Sequence, residues 1–396
     1  MSTTTQSATD RASTLERAVR ELCPTIASRA DEIEEARRVP ADLHEQFRDI
    51  GLYRMLLPVA YGGDDVGLLR ALPIIEAIGR ADASVGWTQT IGLQSPAVFA
   101  LLPRATFEEI YDRHGPDVTI GGAIAPVGKA HVVDGGYRIA PGTWPFASGC
   151  HNWDYLFANC IVHEDGEPLP NPDGEGPLMR MMAFPRKHAT ILDTWKTLGL
   201  RGTGSNHFAL EEELFVPAGY AAGSMLDGQS NVPGFYRYPI IEFTFHIGAT
   251  MIGLAQGAID DVVAAAANRT RTKSARSLAE LPVVQHRLGS AQAAVADARD
   301  ALHRRAQQLL DDELASDLVS LVVRTWADTA RIADMVLDTV QTCFRIYGAA
   351  GIWDGEPLQR RLRDAFTIAQ HASANDQSLA RAGAALLGQP VGLGYE

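Results

Sequence analysis

His371 and Asn375 stand four residues apart near the C-terminus, within Gln370-His371-Ala372-Ser373-Ala374-Asn375. An unperturbed imidazole titrates near pH ~6.5, so His371 can take or give a proton at neutral pH. An asparagine one helical turn later would share its face and could orient the ring or a substrate. Arg271 lies in the basic run Asn268-Arg269-Thr270-Arg271-Thr272-Lys273, and a planar guanidinium matches phosphate oxygens. The run from Gly142 to Cys150, GTWPFASGC, sets Trp144, Phe146 and the Ser148 hydroxyl close together on one β-type segment.

Other chemistries lack their residues. The four cysteines, Cys23, Cys150, Cys160 and Cys343, form no CxxC pair, and the eleven histidines form no HExxH or HxxxH. A disulfide framework and a zinc site are therefore not expected, and no metal is. Gly202-Thr203-Gly204-Ser205-Asn206-His207 resembles GxGxxG without its last glycine and without a βαβ frame. Ser205 belongs to no GxSxG elbow, so a hydrolase triad has no support.

The elements that must position these residues follow from pattern. The chain has 396 residues, 46% hydrophobic and 21% charged, enough to bury a sizeable core. The formal charge of -13 repels polyphosphate backbones, so nucleic acid is not an expected partner. Met1 to Asp10 is Ser/Thr-rich with no basic segment followed by an apolar run, unlike a signal peptide. The apolar stretch Ile247–Ala267 is interrupted by Asp260 and Asp261 and predicts a buried helix, not a membrane span. With its cysteines unpaired, a soluble cytoplasmic protein is expected.

From about Ala12 to Arg113 apolar residues recur with a helical period. Pro40 opens one helix, Gly51 closes it, and another is expected from Leu68 to Gly79. Between Asp117 and Pro217 short β-type runs alternate with Gly, Pro, Asn and Asp clusters, which predicts a small barrel or sandwich. Beyond Ile240, helices near 240–268, 280–310, 312–347 and 357–386 would suit a four-helix bundle. The reading is an α+β chain with a helical domain over 1–117, a β domain over 118–225 and a four-helix bundle over 226–396.

Several segments together resemble the acyl-CoA dehydrogenase superfamily. Pro58 to Gly63 is similar to its P-x-x-YGG turn. Leu198-Gly199-Leu200-Arg201-Gly202, ending at Val216-Pro217, resembles its LGLRG…VP strands. Gly348-Ala349-Ala350-Gly351, then Pro357, then Arg363-Asp364-Ala365, resembles its GGxG…P…RDA segment. Ala81 to Trp87 (ADASVGW), the FASG segment ending at Gly149, Pro357 to Asp364 (PLQRRLRD) and Gln370-His371 resemble its two-component flavin monooxygenases.

That resemblance implies an oxygenase taking reduced FAD or FMN from a separate flavin reductase. It would use O2, by way of a flavin hydroperoxide, to hydroxylate or N/S-oxidise a small organic, aromatic substrate. Such an adduct needs a dry pocket with fixed hydrogen bonds. Trp144, Phe146 and Ser148 would then face the flavin ring, with Ser148 and His371 as catalytic groups. Arg271 and Arg345 would bind cofactor phosphate, and Gly348 and Gly351 would let backbone approach a neighbouring subunit's flavin in a homotetramer. Gln94 stands where many aromatic hydroxylases of this group carry His, and with Asn375 it would meet substrate.

The alternative is an FAD-dependent acyl-CoA dehydrogenase or oxidase. The dehydrogenases' catalytic Glu has its counterpart at Ala372, and no Glu occurs from Phe366 to Leu386. A second location for that base corresponds to Glu242, followed here by Phe243. Gly121 to Ala130 also lacks the dehydrogenases' acidic, serine-containing segment.

Overall fold

The structure is a computed structural model that describes residues 8–172, 176–223, 228–235, 239–267, 269, 276–311 and 318–391. The chain opens with helices α1 (Ala8–Ser28), α2 (Ala30–Ala36), α3 (Ala41–Asp49), α4 (Leu68–Ala81), α5 (Ala83–Leu93), α6 (Ser95–Phe99) and α7 (Arg104–His114). Pro40 precedes α3 and Gly51, at φ +85°, follows it, so these two residues bound the helix as their backbone chemistry requires.

Among the described residues ten strands follow: β1 (Ile120–Val133), β2 (Gly136–Ile139), β3 (Gly142–Ala147), β4 (Tyr155–Glu164), β5 (Glu167–Pro168), β6 (Met179–Pro185), β7 (Thr190–Leu192), β8 (Asn206–Leu210), β9 (Leu214–Pro217) and β10 (Ala221–Ala222). They form two sheets, one ordered β10-β6-β4-β1-β2-β9 with β5 on the edge of β4, the other β3-β8-β7. The Trp144 ring joins them. It stacks on Phe208 at 5.4 Å, and its Nε1 donates to the Asn159 carbonyl at 3.0 Å. Gly128 makes room for that ring: a β-carbon there would lie 2.4 Å from the indole.

The C-terminal part holds α8 (Pro239–Ala266), α9 (Pro282–Asp311), α10 (Leu318–Tyr347), α11 (Pro357–Ile368) and α12 (Asp376–Leu386). The helix expected over 357–386 is two, because residues 369–375 turn and Asn375 starts α12 by accepting from the Gln377 N–H at 3.1 Å. α8 is long and apolar enough to cross a membrane, yet most of it is enclosed by other helices. Buried Val322, Trp326, Val336, Val340 and Cys343 form the inward stripe of α10. A single apolar cluster runs from Ala12 through the sheets to Ala374, so the helical, β and bundle regions share one core.

The junction of α4, α5 and α8 is the tightest part of that core. A β-carbon on Gly86 would sit 2.7 Å from the Gly79 backbone, and one on Gly79 would sit 2.6 Å from the Thr250 carbonyl. Only glycine lets these helices approach so closely. The approach brings the buried helix α5 against both the β region and α8.

Candidate active site at the two ends of helix α5

Asp82 starts α5: it is buried, in extended backbone, and accepts from the Val85 N–H at 2.9 Å. One turn later the Trp87 indole reaches out of the helix. Its Nε1 donates to Ser148 Oγ at 3.1 Å, and its ring meets the His371 ring edge-on at 5.0 Å. Trp87 thus ties together a helix, the turn after β3 and the turn between α11 and α12.

Ser148 continues inward. Its hydroxyl lies 2.7 Å from Ser205 Oγ, Ser205 lies 2.7 Å from Thr203 Oγ1, and Thr203 donates to the Leu200 carbonyl at 2.8 Å. The Ser148 carbonyl accepts from Trp153 Nε1 at 2.7 Å, which fixes the turn. The residues that resemble family signatures hold this network in place. Asp364 accepts from the Leu200 N–H at 2.6 Å, and a β-carbon on Gly199 would collide with the Arg363 carbonyl at 2.1 Å. Arg363 donates to Glu34 at 2.5 Å and to the Leu198 carbonyl at 3.0 Å. Burial and the neighbouring Asp82 push Asp364 up to about 7.

His371 is partly buried, and burial lowers it to about 4, so the ring is neutral at physiological pH. The Ser373 N–H donates to Nδ1 at 3.3 Å, with Ser373 Oγ 2.8 Å from the same atom. Nδ1 is therefore the acceptor and Nε2 carries the proton. His371 is built to donate a hydrogen bond rather than to arrive charged.

At the other end of α5 stands Gln94, buried, its amide hydrogen-bonded to His246 Nδ1 from α8. That contact puts the His246 proton on Nε2, and Nε2 is buried without a partner among the described residues. Burial alone holds His246 down at about 3. Glu242, one turn earlier on α8, is also buried and is raised to about 7 by the loss of water. Between the two ends, Thr90 and Thr250 hydroxyls pair at 2.9 Å. Trp87, Thr90 and Gln94 share one face of α5, and the seven residue steps from Trp87 to Gln94 span about 10 Å at ~1.5 Å each.

Other residues singled out in the sequence lie elsewhere. Trp144 is fully buried between the sheets, so it is a core residue and not the expected cofactor wall. The register between β3 and β8 breaks between Trp144 and Ala147, and Phe146, at φ +60° and 67% exposed, is the ring turned outward. Asn375 does not share a helical face with His371, since both lie in the turn before α12, where Asn375 is the cap. Arg345 is exposed on the last turn of α10. Gly348, at φ +74°, and Gly351, against Tyr347 and Phe344, follow it. They precede α11 whereas His371 follows it, a separation of about 18 Å along 12 residues of helix. Arg271 lies outside the described residues. Its neighbour Arg269 is engaged, stacked 3.8 Å over Tyr347 and paired with Glu356 at 3.3 Å.

Sequence reasoning missed His246, Ser205 and Thr203. His246 is a lone histidine in an apolar run, and only the fold sets it against Gln94. The fold is thus helical, β and helical-bundle in order, with the candidate site where all three regions meet.

Comparison with known proteins agrees. Family models for the acyl-CoA dehydrogenase N-terminal domain and C-terminal domain match residues 9–121 and 245–376. An indole-3-acetate monooxygenase of Pseudomonas putida is 31% identical, over 93% of this chain and 92% of its own. The oxygenase subunit HsaA, a flavin-dependent monooxygenase of Rhodococcus jostii, is 30% identical over 90% and 93%. A 3-HSA hydroxylase structure from Rhodococcus superimposes with a TM-score of 0.82 at 26% identity, covering 96% of this chain and 98% of that one. XiaF from Streptomyces, solved with FADH2 and glycerol, has the same fold, with a TM-score of 0.87, 23% identity and 97% coverage of both chains. The chain belongs to the acyl-CoA dehydrogenase family, and within it to the flavin-dependent monooxygenase oxygenase subunits.

Proposed function

We propose that this chain is the oxygenase component of a two-component system, taking reduced FAD or FMN from a separate reductase and inserting one oxygen atom into a small aromatic substrate. The balance is one O2 and two flavin electrons for one oxidised product and one water. The observation that carries the reading is Trp87, which joins Ser148 to His371 where the three regions meet.

The residues present fit a flavin. Ser148 keeps acceptor capacity beyond its bond from Trp87, His371 offers an Nε2–H, and the outward Phe146 supplies an exposed ring nearby in sequence. A bound reduced flavin would supply the two electrons and the oxygen-activating chemistry. Ser148 and His371 hold that ring by hydrogen bonds, while Trp87 and the buried α5 keep water away. The expected roles of Arg345, Gly348 and Gly351 belong to this proposal as contacts to a neighbouring subunit's flavin. So does Arg271 as a phosphate ligand. Exposed Ile352, Trp353, Leu386 and Leu387 offer apolar surface for subunit contacts in the homotetramer that belongs to this reading.

Gln94, His246 and Glu242 form the substrate end. An unpartnered, buried Nε2–H calls for an acceptor, and leaving it unmet costs about 1–3 kcal/mol. A planar aromatic with an oxygen acceptor at its far end would set that oxygen on His246 Nε2 with its ring toward the Trp87 end, the two ends of α5 lying about 10 Å apart along the helix. Indole-3-acetate, named for the Pseudomonas relative, has that chemistry. A cytoplasmic setting, which keeps the four free cysteines reduced, completes the reading.

The test supplies reduced flavin with a reductase, 18O2 and a panel of indole acids and phenols, and reads product mass. One 18O per product supports the reading. Flavin reduction by an acyl-CoA without reductase, with no oxygenated product, sinks it.

A further inference from the structure

Ser148, Ser205 and Thr203 form a chain of three hydroxyls whose last contact is the Leu200 carbonyl. A carbonyl can only accept, and two oxygens 2.8 Å apart need a proton between them. Thr203 must therefore give its proton to Leu200. Its remaining capacity toward Ser205, at 2.7 Å, is as an acceptor, so Ser205 donates to Thr203. By the same step Ser148 donates to Ser205. At the outer end, Trp87 Nε1 can only donate, and it occupies one Ser148 lone pair. The Leu200 carbonyl is itself held, accepting from Trp195 Nε1 at 2.9 Å, while Asp364 fixes the Leu200 N–H.

The consequence for Ser148 is a fixed polarity. Its only proton is spent inward, and one lone pair remains for any further partner. Ser148 is thus an acceptor toward a ligand, even though an isolated serine could play either part.

We infer that Thr203 and Ser205 are positioning residues that make the site selective for the reduced form of its flavin, by holding Ser148 as an obligate acceptor. This rests on the proposed cofactor reading. The reduced ring carries an N–H at its central nitrogen, where the oxidised ring has a bare lone pair. The reduced ring completes the chain. The oxidised ring sets lone pair against lone pair, unless the whole chain reverses and breaks the Thr203–Leu200 bond.

The experiment measures the dissociation constants of oxidised and dithionite-reduced FAD and FMN anaerobically, by ultrafiltration, with the midpoint potential of bound flavin as a second readout. The wild-type chain should bind reduced flavin at least tenfold more tightly. In Thr203→Val the carbonyl anchor is gone, Ser205 can donate outward, and the Ser148 proton is released toward the ligand. The preference should then fall about tenfold, a drop of roughly 30 mV in bound potential. Thr203→Ser, which keeps the hydroxyl, should restore both. Ser205→Ala should shift the ratio in the same direction and serves if the valine variant does not fold. An unchanged ratio in a folded Thr203→Val or Ser205→Ala variant overturns the inference while leaving the cofactor reading standing. Failure of the wild-type chain to bind either redox form would instead remove the cofactor reading itself.

Discussion

The two ends of α5 differ in one respect: how completely their buried polar atoms are satisfied. At the Trp87 end, the indole N–H, the three hydroxyls and the Leu200 carbonyl form an unbroken chain from donor to acceptor. At the Gln94 end, His246 Nε2 is buried with no partner among the described residues, and Glu242 is raised to about 7 by burial. A satisfied network is rigid and preset, as a cofactor that must be held in one orientation requires. An unsatisfied one stores free energy that a ligand recovers on binding. On the proposed function, that difference would separate a cofactor end from a substrate end on one helix.

That comparison can be broken most sharply through its shared scaffold. Asp364→Ala removes the carboxyl that holds the Leu200 N–H. It should destabilise the fold by about 2–3 kcal/mol in urea unfolding and weaken flavin retention, because a buried donor is left unmet. Stability unchanged from wild type would mean that Leu200 is held by Trp195 and Thr203 alone. Next in size, His371→Ala should leave substrate affinity intact while most reducing equivalents emerge as hydrogen peroxide, a loss of coupling of roughly tenfold or more. Coupling equal to wild type would remove His371 from the flavin end.

The pH predictions sharpen the substrate end. Glu242 is raised to about 7 by burial, so it is neutral below that pH and charged above it. For an anionic aromatic acid, KM should rise roughly three- to tenfold between pH 6 and 8 as the carboxylate appears beside it. Glu242→Gln should flatten that rise; a profile unaffected by the substitution would mean the rise has another source. The smallest effect concerns stability in acid. Burial lowers His44 and His371 to about 4 and His246 to about 3, so the unfolded chain takes up protons first as pH falls below about 6.5. Their contribution is complete above that pH and is lost toward 4. Raised Glu242 and Asp364 act oppositely, favouring the fold at low pH and losing that contribution as pH rises toward 7. His44→Asn should shallow the acid limb of the Tm profile.

Much of the fold was legible because it rests on local rules. Pro40 and Gly51 bound α3, Leu68 opens α4, and clustered turn residues mark the strands. Of the candidate site residues, Ser148 and His371 were singled out in the sequence, and the structure brings both against Trp87. Trp144 and Phe146 have the same alternation as any strand, and the irregular register before Ala147 decides which ring faces out. His246 is silent in sequence because its neighbour Gln94 is 152 residues away. Asn375 was misplaced because the break after Ile368 depends on Ser373 and Asn375 bonding to local backbone and side chains, a competition that helical periodicity does not reveal.

The most direct test of a cofactor end and a substrate end is a paired binding measurement on Ser148→Ala and His246→Leu. Reduced-flavin and substrate dissociation constants are determined for each. Ser148→Ala should weaken flavin about tenfold and leave substrate within roughly twofold, and His246→Leu should do the reverse. Equal losses of both ligands in both variants would contradict the separation and make α5 the wall of one undivided pocket.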